Sequence, residues 1–353
     1  MIFTGLFPIT GSRMPTAAGR MATACVCAAA ILLAVAASNV FAMEIIPFQT
    51  SNQSPLVRIF GLPAMGSPSV VPQGGLEASF TTDISNNFTF NTTGGESLML
   101  DGETYRFALA ARYGIAPGLE IGLTIPVMAN SGGFLDGFIE GFHDFFGFSQ
   151  GGRKSYPKDK LNYQYIRAGE RKALVDSGSV GLGDIRLSGA WQLYDDGREN
   201  PRRVALHGSV KLPTGSSGRL MGSGSADFAL WLTASDDYRL PLGNLTLYGA
   251  GGALAMTDGD VMPDQQRNAV AFGSLGIGWS PLDWLALKVQ ADGHTSFYNG
   301  SNLKQVNGGS VQLTSGGAFA LTGNTFLDVG ITEDVVVDTA PDVVFHLSLR
   351  KRF

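Results

Sequence analysis

The sequence has few residues of the types that support thiol chemistry or nucleic-acid binding. Its only two cysteines, Cys25 and Cys27, lie in an apolar stretch near the N-terminus. If this stretch is removed on export, disulfides, catalytic thiols and thiolate metal sites are excluded from the mature chain. Charged residues make up 16% of the chain, and acidic residues outnumber basic ones by 30 to 25. We therefore expect no nucleic-acid partner, because nucleic acids are bound mainly through basic side chains.

Long hydrophobic runs are also scarce. The only one, Ala24 to Ala37, follows Arg13 and Arg20 and precedes a small-residue pattern that ends at Ala42. This order predicts a cleaved secretory signal peptide over residues 1–42. An uncleaved anchor helix is the alternative, but the run is shorter than the roughly 20 residues that cross a bilayer as a helix. Removal of the two arginines leaves 23 basic residues against 30 acidic ones, a net charge of −7.

In place of long runs, the chain has short segments in which apolar and polar residues alternate. The last segment, Pro341 to Phe353, has apolar residues at every second position from Val343 to Leu349 and ends on an aromatic residue. A strand in the wall of a membrane barrel has this pattern, because one face meets lipid and the other a polar lumen. The terminal Phe353 also resembles the signal that the bacterial barrel-assembly machinery reads, so we expect this machinery as a partner.

Twelve segments show this alternation, and short and long connections follow each other between them. The candidate strands are 76–90, 103–113, 119–127, 180–194, 204–212, 227–240, 245–256, 269–279, 285–292, 310–321, 325–332 and 341–353. Short periplasmic turns and longer outer loops give outer-membrane barrels the same rhythm. The sequence therefore predicts an all-β fold, a transmembrane up-and-down antiparallel β-barrel of about 12 strands over residues 76–353. A soluble β-sandwich or propeller would also alternate, but it would not need the rhythm, the terminal aromatic residue or the Trp and Tyr residues near strand ends.

Residues 43–75, between the leader and the first strand, contain five prolines. Proline removes a backbone donor and excludes regular strand or helix through most of this segment. The segment is predicted to be a periplasmic arm or a plug in the barrel mouth. An ordered arm packed below the barrel is the favoured interpretation, given the usual behaviour of chain termini.

The connection 129–179, between the third and fourth strands, is too long for a simple loop. Residues 133–148 within it have phenylalanines at helical spacing, with acidic residues on the opposite side, which predicts an amphipathic helix. Three interpretations remain open: the helix constricts or gates the lumen, lies at the outer-leaflet interface, or caps the barrel. The residues of its aromatic face are Phe134, Phe138, Phe142, Phe145 and Phe146.

Two stretches carry a resemblance to a known family. Pro47 to Pro63 reads PFQTSNQSPLVRIFGLP, and Gly132 to Arg153 reads GGFLDGFIEGFHDFFGFSQGGR. Both are similar to signature stretches of domain-of-unknown-function family 3187, whose members are described as bacterial outer-membrane β-barrels. The resemblance covers nearly the whole mature chain. It implies the fold and the outer-membrane location, and it implies no activity and no site residues.

Strand parity predicts which charged residues face the barrel interior. They are Arg106, Arg112, Glu120, Asp184, Arg186, His207, Lys211, Lys288, Asp328, His346 and Arg350. These residues form either a salt-bridged polar core that fills a narrow barrel or a solute path whose charges set selectivity.

The sequence contains no catalytic, metal-binding or cofactor-binding motif of known mechanism. Some twelve-stranded outer-membrane barrels are phospholipases with a Ser–His pair, so His294 and Ser296 were considered as such a pair. A loop is a poor support for a nucleophile and base within hydrogen-bond reach. His143, near Asp144 and Glu140 on the predicted helix, is interpreted as part of a solvated polar face. We therefore expect no enzyme activity, no metal and no cofactor.

These features together predict an outer-membrane channel or passive transporter. The aromatic helix suggests a small amphiphilic or hydrophobic solute, with the helix as gate or constriction. Outer-membrane lipid is the expected surrounding of the barrel wall. The alternatives are a closed structural or lipid-binding barrel without transport and, less favoured, a membrane-embedded hydrolase.

Overall fold

The computed structural model describes residues 43–146, 152–336 and 339–353. Within these ranges the chain forms 15 strands in one antiparallel sheet, two α-helices and two 3-10 helices, Arg153–Ser155 and Ser217–Arg219. None of these helices is long and apolar enough to cross a bilayer. The strands are β1 Leu76–Thr93, β2 Glu96–Ala116, β3 Leu119–Ser131, β4 Asn162–Arg167, β5 Glu170–Val175, β6 Ser179–Leu182, β7 Arg186–Asp195, β8 Arg202–Lys211, β9 Asp227–Arg239, β10 Asn244–Met256, β11 Ala269–Leu282, β12 Leu285–His294, β13 Ser310–Thr322, β14 Thr325–Val336 and β15 Val343–Arg352; the helices are α1 Asp136–Phe146 and α2 Lys304–Asn307.

The sheet closes on itself to form a barrel. β1 pairs with β2 on one side and with the last strand, β15, on the other. Each remaining wall strand pairs with its neighbours in chain order, and β6 and β7 together occupy the single position beside β3. The wall therefore has 12 strands, which confirms the predicted fold and strand number. Closure pairs the first and last wall strands, so neither has an open edge, as a barrel in lipid requires.

The two faces of the wall differ as the alternation predicts. Along β9, the side chains of Phe228, Leu230 and Leu232 are exposed on the outer surface. Between them, Trp231 and Thr233 are buried toward the interior. The outer face of this strand is thus apolar, which suits contact with acyl chains.

The structure differs from the sequence prediction at one end of the barrel, here called the loop end. Residues 91–102 were predicted to be a loop, but β1 and β2 continue through them to a tight turn at Gly94 and Gly95. Both glycines have positive φ, the conformation that a two-residue hairpin turn requires. Above the wall, β2 pairs with β4, and β4 pairs with β5. This second hairpin lies within the predicted loop 129–179, and the alternation search missed it.

Residues 43–75, here called the arm, run inside the barrel rather than below it. Near its start, the Phe48 N–H donates to Gln290 Oε1 at 2.8 Å, and Lys288 Nζ donates to the Ile46 carbonyl at 2.9 Å. At the loop end, the Tyr298 hydroxyl donates to the Leu56 carbonyl at 3.0 Å. The first half of the arm therefore ascends along β12 toward the loop end.

The second half of the arm returns along other strands. The Gly61 N–H donates to Asp227 Oδ2 at 2.6 Å, and Trp231 Nε1 donates to the Met65 carbonyl at 2.7 Å. The Val71 N–H donates to a Glu120 carboxylate oxygen at 2.6 Å. Because prolines prevent the arm from pairing as a strand, its backbone groups are free to bond inward-facing side chains of the wall. This explains why the segment is ordered inside the lumen.

Candidate functional site

The interior of the barrel and the arm within it form the candidate site. The structure brings the charged residues predicted from strand parity into the barrel interior, where most of them form three clusters with each other and with the arm. Their predicted role in selectivity stays a prediction, because position alone does not assign it.

The first cluster lies where the arm enters β1. Arg112 bonds Glu77 at 2.5 Å and Glu120 at 3.0 Å, and Glu77 also accepts from Arg350 at 3.2 Å. Glu120 in turn accepts the backbone N–H of Val71. These contacts neutralise Arg112 and Arg350 and anchor the last part of the arm.

The second cluster surrounds the aromatic ring of Phe48 in the arm. Lys288 Nζ lies 4.0 Å from the ring centroid and forms a buried ion pair with Asp328. His346 meets the same ring edge-on and bonds Asp83 at 2.7 Å. A cation over a desolvated ring face is attracted by the ring quadrupole, so Phe48 contributes to holding Lys288 in place.

The third cluster is centred on Lys211. Its Nζ atom bonds Asp184 at 2.5 Å, Asp227 at 3.2 Å and the Ile59 carbonyl of the arm at 3.1 Å. Two carboxylates and one ammonium group leave a net negative charge that the hydrogen bonds of Ser225 and the Gly61 N–H to Asp227 stabilise. The cluster therefore joins β8 and β9 to the top of the arm.

The start of the arm is held by one further ion network. Glu44 bonds Arg203 at 3.4 Å and Arg352 at 2.6 Å. Burial acts to raise the pKa of Glu44, but the charges of Arg352, Arg203 and Arg350 outweigh it and lower the pKa below its ordinary value. Glu44 is therefore ionised at neutral pH. The network stabilises the anchored arm fully above the ordinary pKa of Glu44, and this stabilisation is lost as the pH falls through the lowered pKa.

Between the arm and the wall remains a cavity of about 200 Å³. Its lining is rich in arginine, serine and threonine. The predicted residues Arg106, Arg112, Glu120, Arg186, His207, Asp328 and Arg350 contribute to it, whereas Asp184 and Lys211 line a smaller neighbouring cavity of about 40 Å³. The lumen is thus polar and narrowed by the arm.

Comparison with known proteins places the chain in a family. Residues 23–353 match the model of a family described as protein of unknown function, DUF3187. The chain belongs to this family. No functionally curated protein matches the DUF3187 chain.

Solved structures similar to this DUF3187 protein are bacterial membrane barrels. The COG4313 outer membrane channel from Pseudomonas putida F1 superposes with a TM-score of 0.52 at 11% identity, covering 82% of this chain and 98% of that one. The toluene transporter TbuX from Ralstonia pickettii has a TM-score of 0.34 at 9% identity, covering 88% of this chain and 96% of that one. The first likeness shows a shared outer-membrane barrel fold.

The aromatic helix of the DUF3187 protein lies away from the lumen. It was predicted over 133–148 and is observed as α1, and residues 147–151 are outside the described ranges. Phe138 is 58% exposed and packs at 6.2 Å on Phe345, which lies on the outer face of β15. Phe134 and Phe145 are also exposed, at 54% and 81%. The side chains of Phe142, His143 and Phe146 are outside the described part, so nothing further is assigned to them.

The opposite side of α1 holds the helix on the barrel. Asp136 is buried, bonds Arg153 at 2.6 Å and accepts from the Asn86 amide at 3.1 Å. Leu135 and Ile139 are buried beside it. Because the polar and aliphatic sides face the protein, the described phenylalanines point outward and do not line the cavity.

The residues considered for hydrolysis do not bond each other. His294 Nδ1 donates to the Thr295 carbonyl at 2.9 Å, so Nε2 accepts from the Asn52 amide of the arm at 2.9 Å. The Ser296 hydroxyl donates to the Tyr298 carbonyl at 2.6 Å. His294 therefore has no free lone pair directed at Ser296 in this arrangement. Within the described residues, no three His, Cys, Asp or Glu side chains are placed to hold a metal ion.

The C-terminal residue ends the wall beside the first strand. The Phe353 N–H donates to the Leu76 carbonyl at 2.8 Å, and the ring is 68% exposed. The ring is therefore accessible at the barrel surface. Its role as an assembly signal stays a prediction.

Several site residues were missed at the sequence level. Glu77 and Asp83 lie on the inward face of β1, so the alternation of side chains along this strand was sufficient to identify them. Arg58 had no such signal, because the arm has no periodicity. Its Nη2 atom donates to Asn130 Oδ1 at 2.5 Å.

Proposed function

We propose that this protein is an outer-membrane channel whose conductance is set by the arm inside its lumen. The observation that carries the proposal is a closed polar barrel filled by one continuous segment, with a cavity of about 200 Å³ left beside it. Export by the predicted signal peptide and insertion by the barrel-assembly machinery are part of the proposal. Phe353 is the residue that this machinery would read.

The arm is bound in a way that allows it to leave. It contacts the wall through hydrogen bonds, ion pairs and the apolar packing of residues such as Phe60. Among the described residues, its backbone forms one strand-type bridge with the wall, at Gln73 and Gly114. The wall groups that bond the arm include charged side chains, such as Lys288, Glu120 and Asp227, and water can solvate these once the arm moves. A wall that carries charged side chains on its inner face supports a conduit more than a permanently filled core.

The lumen supports a small polar solute. The expected amphiphilic or hydrophobic solute, and the gating helix, rested on the aromatic residues of α1. Those that the structure describes face outward, and the cavity lining is rich in arginine and hydroxyl side chains, with Phe60 and Trp231 beside them. We therefore assign the constriction to the arm, and α1 to the interface between the barrel and the outer leaflet.

A closed structural barrel is the second candidate. It is supported by the fully buried Lys288, which pairs with Asp328 and bonds the arm backbone at Ile46. An arm fixed by such contacts in all conditions would leave no path for solute. The two candidates differ in what happens when the arm is removed.

Planar-bilayer recording separates them. The mature chain, refolded in detergent, is compared with a variant that lacks residues 43–70. We expect mainly small steps from the mature chain, with larger steps only when the arm moves, and larger steps throughout from the variant. A synthetic peptide of residues 43–70 should reduce the larger steps of the variant again. A variant that keeps the heat-modifiable gel mobility of a folded barrel but is silent would support the closed barrel and refute the channel.

A further inference from the structure

We propose that the lumen contains a binding site for a small oxyanion, either a carboxylate or a phosphate, between Arg58 of the arm and Arg106 and Arg186 of the wall. The proposal rests on the channel function, since the anion would be the solute that passes the arm. The cationic groups that form the site outnumber the carboxylates that pair with them.

The charge balance of the cavity is positive. Five arginines line it, against three carboxylates. Glu77 and Glu120 pair with Arg112 and Arg350, and Asp328 pairs with Lys288. These carboxylates therefore do not neutralise Arg58, Arg106 or Arg186.

Arg58 is the least satisfied of these arginines. Its Nη2 atom donates to the Asn130 amide oxygen and, at 3.4 Å, to the Leu220 carbonyl. Its Nε and Nη1 atoms are buried and have no hydrogen-bond partner among the described residues. Burial and the charge of Arg106 lower the pKa of Arg58 to about 10, so the side chain stays protonated at neutral pH. A buried charged donor without a partner is costly, and an anion in the cavity would satisfy it.

Arg186 and Arg106 complete the site. Arg186 Nη2 donates to the Leu62 carbonyl of the arm at 3.1 Å, and no described carboxylate forms an ion pair with it. Arg106 bonds Asp83, a carboxylate that it shares with His346. All three arginines also line the smaller cavity, where the carboxylate of Asp184 is held by Lys211. Three neighbouring guanidinium groups repel each other unless a counterion lies between them.

The chemistry of guanidinium selects the class of ligand. Its planar fork of N–H donors matches the two oxygens of a carboxylate or phosphate, and it binds them in a bidentate manner. At roughly 30 Å³ for each water molecule, a cavity of about 200 Å³ holds about six waters or one small anion. Two of the arginines belong to the wall and one to the arm, so a bound anion would contact both.

Titration calorimetry of the refolded mature protein in detergent tests the site. Succinate and inorganic phosphate are titrated separately at pH 7, with uncharged succinamide as the ligand control. We expect saturable binding of at least one anion, at least tenfold weaker in the R58Q/R186Q variant and unchanged in R202Q. Arg202 is the matched control, because it is exposed outside the lumen and pairs with Asp236 at 3.1 Å. R186K keeps the positive charge but lacks the planar pair of N–H donors of guanidinium. We therefore expect its affinity for the anion to lie between those of the unmodified protein and R58Q/R186Q.

Absence of saturable binding by both anions, or equal affinity in R58Q/R186Q, would overturn the proposal. Thermal unfolding without added anion gives a second readout. Removing uncompensated charges should leave the midpoint unchanged or raise it, whereas a clear fall would show that the arginines have a structural role and would also overturn it. Both measurements are made without a bilayer, so they are independent of whether the barrel conducts.

Discussion

At the scale of single residues, Lys288 joins the arm to the wall most closely. Its side chain is fully buried, with Asp328, the Ile46 carbonyl and the Phe48 ring around it. Replacing one partner of a buried ion pair leaves the other charge uncompensated. We therefore predict that K288M lowers the free energy of unfolding by about 3–5 kcal/mol, measured by urea titration in detergent with gel mobility as the readout.

Two variants serve as controls for Lys288. K288M/D328N removes both charges and should recover most of the lost stability. K154M removes one member of an exposed pair, Lys154 with Asp144, and should change stability by at most about 1 kcal/mol. If K288M behaved like K154M, the arm would not be fixed at this point of the wall.

At the scale of elements, α1 presents its described phenylalanines to the outside of the barrel. Residues 43–353 contain no cysteine, so a single spin label can be placed in this part of the chain by F138C. We predict that oxygen, which concentrates in lipid, relaxes this label more than a water-soluble nickel chelate does, because Phe138 packs beside the outward-facing Phe345.

The matched position for this label is Ser217, in the loop between β8 and β9. A label at S217C should show the opposite preference, since Ser217 lies at the loop end and its hydroxyl donates to the exposed carboxylate of Asp260 at 2.8 Å. Greater nickel accessibility at position 138 than at position 217 would mean that α1 stands clear of the bilayer. The helix would then be a soluble cap, which is one of the interpretations that the sequence left open.

The wall was predictable from sequence for a local physical reason. In segments such as β3 and β9, one face meets lipid and the other faces the interior. A two-residue alternation of apolar and polar side chains therefore indicates both that the segment is a strand and which side chains face lipid. The hairpin of β4 and β5 lies above the wall, where that contrast is lost. The turn at Gly94 and Gly95 looked like a loop because its flanking residues are small and polar.

The arm was not predictable in the same way. Its backbone is bonded by single side chains from strands far away in sequence, as in the contact of Phe48 with Gln290. No periodic pattern in the arm sequence indicates which wall side chains bond its backbone. Parity found Lys288 and Glu120 as inward residues, but it did not indicate that the arm is one of their partners.

At the scale of the whole molecule, the proposed channel requires the arm to be a removable constriction. The arm is tethered at residue 75 by β1, so a second tether near its start would keep it in the lumen. A Cβ atom built on Gly278 of β11 lies 3.5 Å from the Cβ of Ile45. This separation falls within the range of disulfides, so an I45C/G278C pair should form one.

Single-channel recording of I45C/G278C under oxidising and then reducing conditions tests this claim most directly, with each single-cysteine variant as a control. We predict that the oxidised protein stays in its smallest conductance state, that reduction restores the larger steps, and that the single-cysteine variants do not respond. Equal conductance before and after reduction, with the disulfide verified by gel mobility, would contradict the claim that the arm controls the lumen.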